Sequence, residues 1–126
     1  MAAQARIGVI GLGTMGAALA LNIAEKGFPV AVWNRSAARV TELVEGAGAL
    51  ADRLVPADTL EGFVASLASP RAIVIMVKAG DPVRATIDAL RPLLDAGDIL
   101  IDAGNADFHD TRATEAALRG AGLRFI

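Results

Sequence analysis

The stretch Ile7-Gly8-Val9-Ile10-Gly11-Leu12-Gly13-Thr14-Met15-Gly16 decides the fold. A short apolar run suited to a buried strand passes through three glycines spaced G-x-G-x-x-G. It then enters residues 15–26, where apolar side chains recur three or four apart, as on a helix. Glycine-rich turns of this spacing are common, but one that joins a strand to a helix is the phosphate-binding turn of a dinucleotide-binding domain. Gly11 permits the tight turn, Gly13 lets a diphosphate approach the backbone, and Gly16 lets helix and strand pack closely. The helix N-terminus adds unpaired amides and a partial positive charge on the side where a diphosphate would lie. Met15, Leu19 and Ile23 are expected to form the buried stripe of this helix. Gly27 marks its end and Pro29 blocks its continuation.

The same alternation continues outward. Apolar runs at residues 7–10, 30–33, 72–77, 99–101 and 123–126, with a weaker one at 54–55, read as strands. They are continuous rather than alternating in polarity, as parallel strands covered on both faces should be. Between them, residues 15–26, 37–45, 60–67, 82–94 and 111–121 have helical length and spacing. Asp58-Thr59, Asp81-Pro82 and Asp110-Thr111 are helix openings. Six strands and five helices in strict alternation predict an α/β fold, a Rossmann-type doubly wound parallel sheet with helices on both faces. Residues 46–57 read as a loop ending in a very short third strand. Residues 1–126 form one domain, with no repeat, linker or low-complexity tract.

Composition narrows the function. Of 126 residues, 54% are apolar and 21% charged, which excludes a disordered chain. Twelve basic against fourteen acidic residues leave a net charge of −2, so neither nucleic acid nor an anionic membrane is expected as a partner. Without cysteine there is no thiolate chemistry, and with His109 as the single histidine no metal site is expected. The N-terminus lacks a signal-peptide pattern, and no apolar run approaches the ~20 residues of a membrane span. A cytoplasmic protein is expected.

Three further stretches sit where ligands of open α/β sheets collect, at strand ends. After the second strand comes Asn34-Arg35-Ser36, where an NAD-binding domain usually carries a carboxylate for the adenosine ribose. An amide, a guanidinium and a hydroxyl can instead donate to a 2′-phosphate, which points to NADP; the plainer reading is a polar loop with Ser36 as a helix cap. After the fourth strand comes Val77-Lys78-Ala79-Gly80, with Lys78 one of two lysines against ten arginines. After the fifth comes Asp102-Ala103-Gly104-Asn105, which would set the Asn105 amide beside a nicotinamide. His109 reads as a surface or capping residue, Trp33 as core, and Lys26 as lying away from the ligand side.

Together, residues 7–16, 33–36, 75–80 and 102–105 resemble the NADP-binding domain of the 6-phosphogluconate dehydrogenases, and the likeness runs along the whole chain. Met76-Val77-Lys78-Ala79-Gly80 followed by a Gly104-Asn105 turn is far more specific than the glycine loop. The broader β-hydroxyacid dehydrogenases usually have Ser-Thr after the fifth strand. The resemblance implies oxidative decarboxylation of 6-phosphogluconate to ribulose 5-phosphate, with NADP as hydride acceptor, no metal, and a homodimeric full-length protein. It implies cofactor contacts at Gly11, Leu12, Gly13, Thr14, Met15, Gly16, Asn34, Arg35, Ser36, Val77, Lys78, Ala79 and Asn105, with Asn105 also touching the sugar-phosphate substrate. Two positions depart from the family pattern. Ala103 replaces a usual glycine, and Arg112-Ala113-Thr114 stands where the family usually has a pair of arginines. The family's Ser-Gly-Gly substrate loop, catalytic lysine and glutamate, and large helical domain would follow Ile126, so no catalytic residue is expected within these 126 residues. The competing readings are the cofactor domain of a 3-hydroxyisobutyrate-like β-hydroxyacid dehydrogenase and a non-enzymatic dinucleotide-sensing module. Modules of the latter kind typically keep the acidic residue at the end of the second strand.

Overall fold

A computed structural model of the chain describes residues 5–77, 81–103 and 124–125. Six strands, β1 (Ala5–Ile10), β2 (Val30–Trp33), β3 (Leu54–Pro56), β4 (Leu67–Ile75), β5 (Ile99–Asp102) and β6 (Arg124–Phe125), form one sheet in the order β3-β2-β1-β4-β5-β6. Every pairing is parallel. The described helices are α1 (Thr14–Glu25), α2 (Ala37–Gly46), α3 (Leu60–Ala65) and α4 (Asp81–Leu90). The strand order reverses at β1, so the chain winds outward in both directions from the strand that carries the glycine turn.

Burial on both faces explains the continuous apolar runs. Side chains alternate between two cores along each central strand. Val9, Val30, Val32 and Val74 pack with Ala20 and Ala24 of α1 and Val40 and Leu43 of α2. Ile10, Ala31, Ile73 and Ile75 face Phe63 of α3 and Ile87 and Leu90 of α4. Gly8 belongs to this arrangement, since a Cβ there would collide with the Phe63 ring.

Several sequence expectations are corrected. The stripe of α1 that meets the sheet is Gly16-Ala20-Ala24, while Leu19 and Ile23 are only half-buried and Met15 is 72% exposed. Small residues take the central positions because the helix lies too close to β1 for larger ones. β4 begins at Leu67 rather than Ala72, because Leu67 already pairs with Ala5 across an irregular register. Consequently α3 stops at Ala65, where the Ser66 hydroxyl donates to the Phe63 carbonyl at 2.6 Å. α4 stops at Leu90 and continues only as a 3-10 turn over Arg91–Leu93. Pro92 cannot supply the amide that further α-helix would need. Residues 48–53 are a 3-10 helix rather than open loop, and three-residue β3 follows it. Of the predicted helix boundaries, Thr59 opens α3 by accepting from the Gly62 amide at 3.0 Å, and Gly27 follows the end of α1 in the left-handed conformation at φ +97°. The predicted helix at 111–121, with Asp110-Thr111 and Arg112–Thr114, lies outside the described residues.

At the sheet end opposite the glycine turn, one carboxylate is fully buried. Asp98, 0% exposed, accepts from the Arg71 amide at 2.8 Å, from Arg71 Nη1 at 3.0 Å and from the Asp95 amide at 2.9 Å. Arg71 also donates from Nε to the Val64 carbonyl at 3.2 Å and pairs with Asp95 at 3.2 Å. Burial pushes the Arg71 pKa down, but hydrogen bonds and charge from Asp98 and Asp95 outweigh it and leave the group above its ordinary value. This cluster joins α3, β4 and the turn into β5. Asp98→Ala should therefore destabilise the domain by about 2–4 kcal/mol, because it strands a largely buried guanidinium and two amides. Urea denaturation of the two proteins checks this, and a midpoint unchanged by the substitution would refute it.

Candidate functional site

The C-terminal ends of β1, β2, β4 and β5 converge on one edge. Past β1, β4 and β5 one more ladder bond tightens the edge. Gly11 N donates to the Trp33 carbonyl at 3.1 Å, Met76 N to Ile10 at 2.8 Å, and Ala103 N to Ile75 at 3.0 Å. Gly11 is thus wedged between two neighbouring strands at φ +94°, and a Cβ there would lie 2.7 Å from the Met76 carbonyl oxygen. Gly16 is restricted from the other side, since its Cβ would overlap the Gly11 carbonyl. Both glycines are required for close packing.

Gly13 is different. It is the N-cap of α1 at φ −69° and ψ −170°, a conformation open to any residue, and a Cβ there would meet nothing within 4 Å. The fold does not require a glycine here; what glycine preserves is open space before the first turn of α1. No side chain caps that turn and no acidic residue lies in it. Thr14 and Met15 are exposed beside this space and Leu12 is buried behind it. Such a surface suits an anionic ligand held by backbone amides.

At the end of β2 the three residues separate in role. The Asn34 Oδ1 accepts from the Leu12 amide at 2.8 Å, and its Nδ2 donates to the Ser36 carbonyl at 3.1 Å. Its amide therefore keeps one N–H that these two bonds do not use, so the expected donation from Asn34 is narrowed to a single hydrogen. Ser36 occupies the N-cap of α2, yet its hydroxyl makes no capping bond. Arg35 is exposed and makes no ion pair among the described residues. An open cleft of about 410 Å³ adjoins Arg35, walled by Trp33, by Val40, Thr41 and Val44 of α2, and by Pro56 and Asp58. Trp33 is accordingly half-buried at the cleft wall as well as packed against the core, rather than core alone. Val77 follows β4, with its Cγ1 near Gly11. Lys78, Ala79, Asn105 and His109 lie outside the described residues.

A family profile described as the NAD binding domain of 6-phosphogluconate dehydrogenase matches residues 6–126. The chain belongs to the 6-phosphogluconate dehydrogenase family. This family domain is 49% identical over 121 residues to the decarboxylating 6-phosphogluconate dehydrogenase of Synechococcus elongatus, covering 96% of this chain and 26% of that protein. It is 53% identical over 120 residues to the chloroplastic decarboxylating enzyme 2 of Oryza sativa subsp. japonica, covering 91% and 23%. The structure of Plasmodium falciparum 6-phosphogluconate dehydrogenase, described in apo form and in complex with NADP+ and with 6-phosphogluconate, superposes with a TM-score of 0.86 at 30% identity, covering 94% of this chain and 26% of that one. The chain thus spans about a quarter of the length of these relatives.

The glycine turn and the β2 end of this 6-phosphogluconate dehydrogenase-family domain are legible in the sequence, but two features are not. The cleft beside Arg35 is written only in the spacing of Val40 and Val44 with Thr41 and Glu45 along α2. The engagement of Asn34 depends on a partner 22 residues away. The contrast between the glycines is testable by thermal unfolding. Gly16→Ala should lower stability by about 2 kcal/mol or more, because backbone must shift. Gly13→Ala should cost at most about 1 kcal/mol, the loss of a favourable N-cap residue without any backbone clash. Equal losses at the two positions would refute the assignment.

Proposed function

We propose that this chain is the NADP-binding part of a decarboxylating 6-phosphogluconate dehydrogenase, which oxidises and decarboxylates 6-phosphogluconate to ribulose 5-phosphate. The observation that carries the NADP reading is Arg35, exposed and without an ion-pair partner among the described residues, at a strand end where no carboxylate stands. A guanidinium there gains charge-assisted hydrogen bonds from a 2′-phosphate, whereas a carboxylate would repel it. The open space at Gly13 and the uncapped, carboxylate-free first turn of α1 fit the diphosphate.

On this reading Gly11, Leu12, Gly13, Thr14, Met15 and Gly16 frame the diphosphate, and Arg35 and Ser36 face the 2′-phosphate. Val77, Lys78 and Ala79 flank the cofactor, and Asn105 meets both nicotinamide and substrate. When bound, the cofactor supplies the hydride acceptor. The domain's own residues bind and orient it at the sheet edge. We read the full-length protein as a cytoplasmic homodimer without nucleic-acid or membrane partners, supported by the net charge of −2 and by the relatives' character as metabolic enzymes. No described helix is long and apolar enough to cross a membrane.

Arg35→Ala should weaken NADP binding by about 1.5–3 kcal/mol, the range for hydrogen bonds to a charged group, with little change for NAD. Titration calorimetry with both cofactors checks this, and equal losses would show that Arg35 does not read the 2′-phosphate. The 126-residue chain should bind NADP without reducing it in the presence of 6-phosphogluconate, because hydride transfer needs a base at the substrate hydroxyl. An absorbance assay at 340 nm follows the reduced cofactor. Turnover that disappears in Lys78→Ala would instead make Lys78 that base.

A further inference from the structure

The amide side chain of Asn34 joins two loops that a dinucleotide would bridge. Its Oδ1 takes the Leu12 amide at 2.8 Å, and its Nδ2 holds the Ser36 carbonyl at 3.1 Å. The first bond extends the β1–β2 ladder by one step. Gly11 N still meets a main-chain acceptor, the Trp33 carbonyl at 3.1 Å, but the next amide, that of Leu12, is met by a side chain. Leu12 is 2% exposed, so little water can replace that acceptor. The second bond turns the chain at Arg35 back towards the same point. With oxygen and nitrogen each assigned a partner, the side chain has one orientation.

We propose that Asn34 is a positioning residue, a latch that presets the glycine turn and the Arg35-Ser36 loop against each other before the cofactor arrives. The inference rests on the dinucleotide reading above and refines it. A residue that only touches the 2′-phosphate affects NADP alone. A latch affects NAD as well, because both cofactors present the same diphosphate to the same turn. A loosened turn must be ordered again on binding, and that lowers affinity.

The test measures NAD and NADP affinity by quenching of Trp33, the single tryptophan, in the wild-type chain, Asn34→Ala, Asn34→Asp and Arg35→Ala. Hydrogen exchange at the Leu12 amide is followed in parallel. Asn34→Ala should weaken both cofactors, on the order of tenfold each, and expose the Leu12 amide to exchange. Arg35→Ala should weaken NADP alone. Asn34→Asp keeps the acceptor for the Leu12 amide but loses the donor to the Ser36 carbonyl, so it should restore Leu12 protection and only part of the NAD affinity, while NADP is repelled. If Asn34→Ala does not fold, Asn34→Leu removes both polar ends at similar volume and carries the same readouts. Loss confined to NADP in Asn34→Ala, or a lowered melting point with both affinities intact, would overturn the latch. A wild-type chain that binds neither cofactor would overturn the dinucleotide reading itself. In that case unchanged Leu12 exchange in Asn34→Ala would separately overturn the latch.

Discussion

The close approach of α1 to the end of β1 is the contact on which the rest of the domain depends. Gly16 sits against the Gly11 carbonyl with no room for a Cβ, and Ala20 and Ala24 continue that narrow face down the helix. Because the helix lies so near, its first turn is held at the mouth of the strand. Neighbouring strands then pin the turn from both sides through the Trp33 carbonyl and the Met76 amide. Ligand-facing amides on a flexible loop would have to be ordered on binding; here packing that the fold needs anyway has already fixed them.

The glycine turn thus serves two purposes that sequence alone merges. Gly11 and Gly16 are required by neighbouring backbone, whereas Gly13 lies in open space with an ordinary conformation. The surroundings of each glycine divide the motif between two positions that packing requires and one that it leaves open, the one the proposed reading gives to the diphosphate.

Legibility followed the range of the interactions. β2 was read at its observed bounds because four apolar residues lie between Pro29 and a polar stretch. The parallel pairing of the sheet follows from the alternation of strand-like and helix-like runs, whereas the strand order is seen only in the structure. The stripe of α1 was misread because hydrophobicity pointed to Met15, while steric closeness selected glycine and alanine. The early start of β4 is hidden because Leu67 continues the helical spacing of residues 60–67 until it is seen beside Ala5. Asp95-Ala96-Gly97-Asp98 reads as a polar turn, and nothing local shows that Asp98 is buried under Arg71. The bond from the Leu12 amide to Asn34 is not legible because the two residues lie 22 apart in sequence.

The Arg71–Asp98 cluster stands at the opposite end of the sheet from the glycine turn, with the two apolar cores between them. On the cofactor reading proposed above, the polar residues that secure this end of the framework differ from those that would meet a ligand, and among the described residues the two sets share no hydrogen bond. Arg35 and Ser36 contribute no described side-chain bond to the framework. On the proposed reading, a change at those two positions alters which nucleotide fits while the scaffold beneath them keeps its bonds.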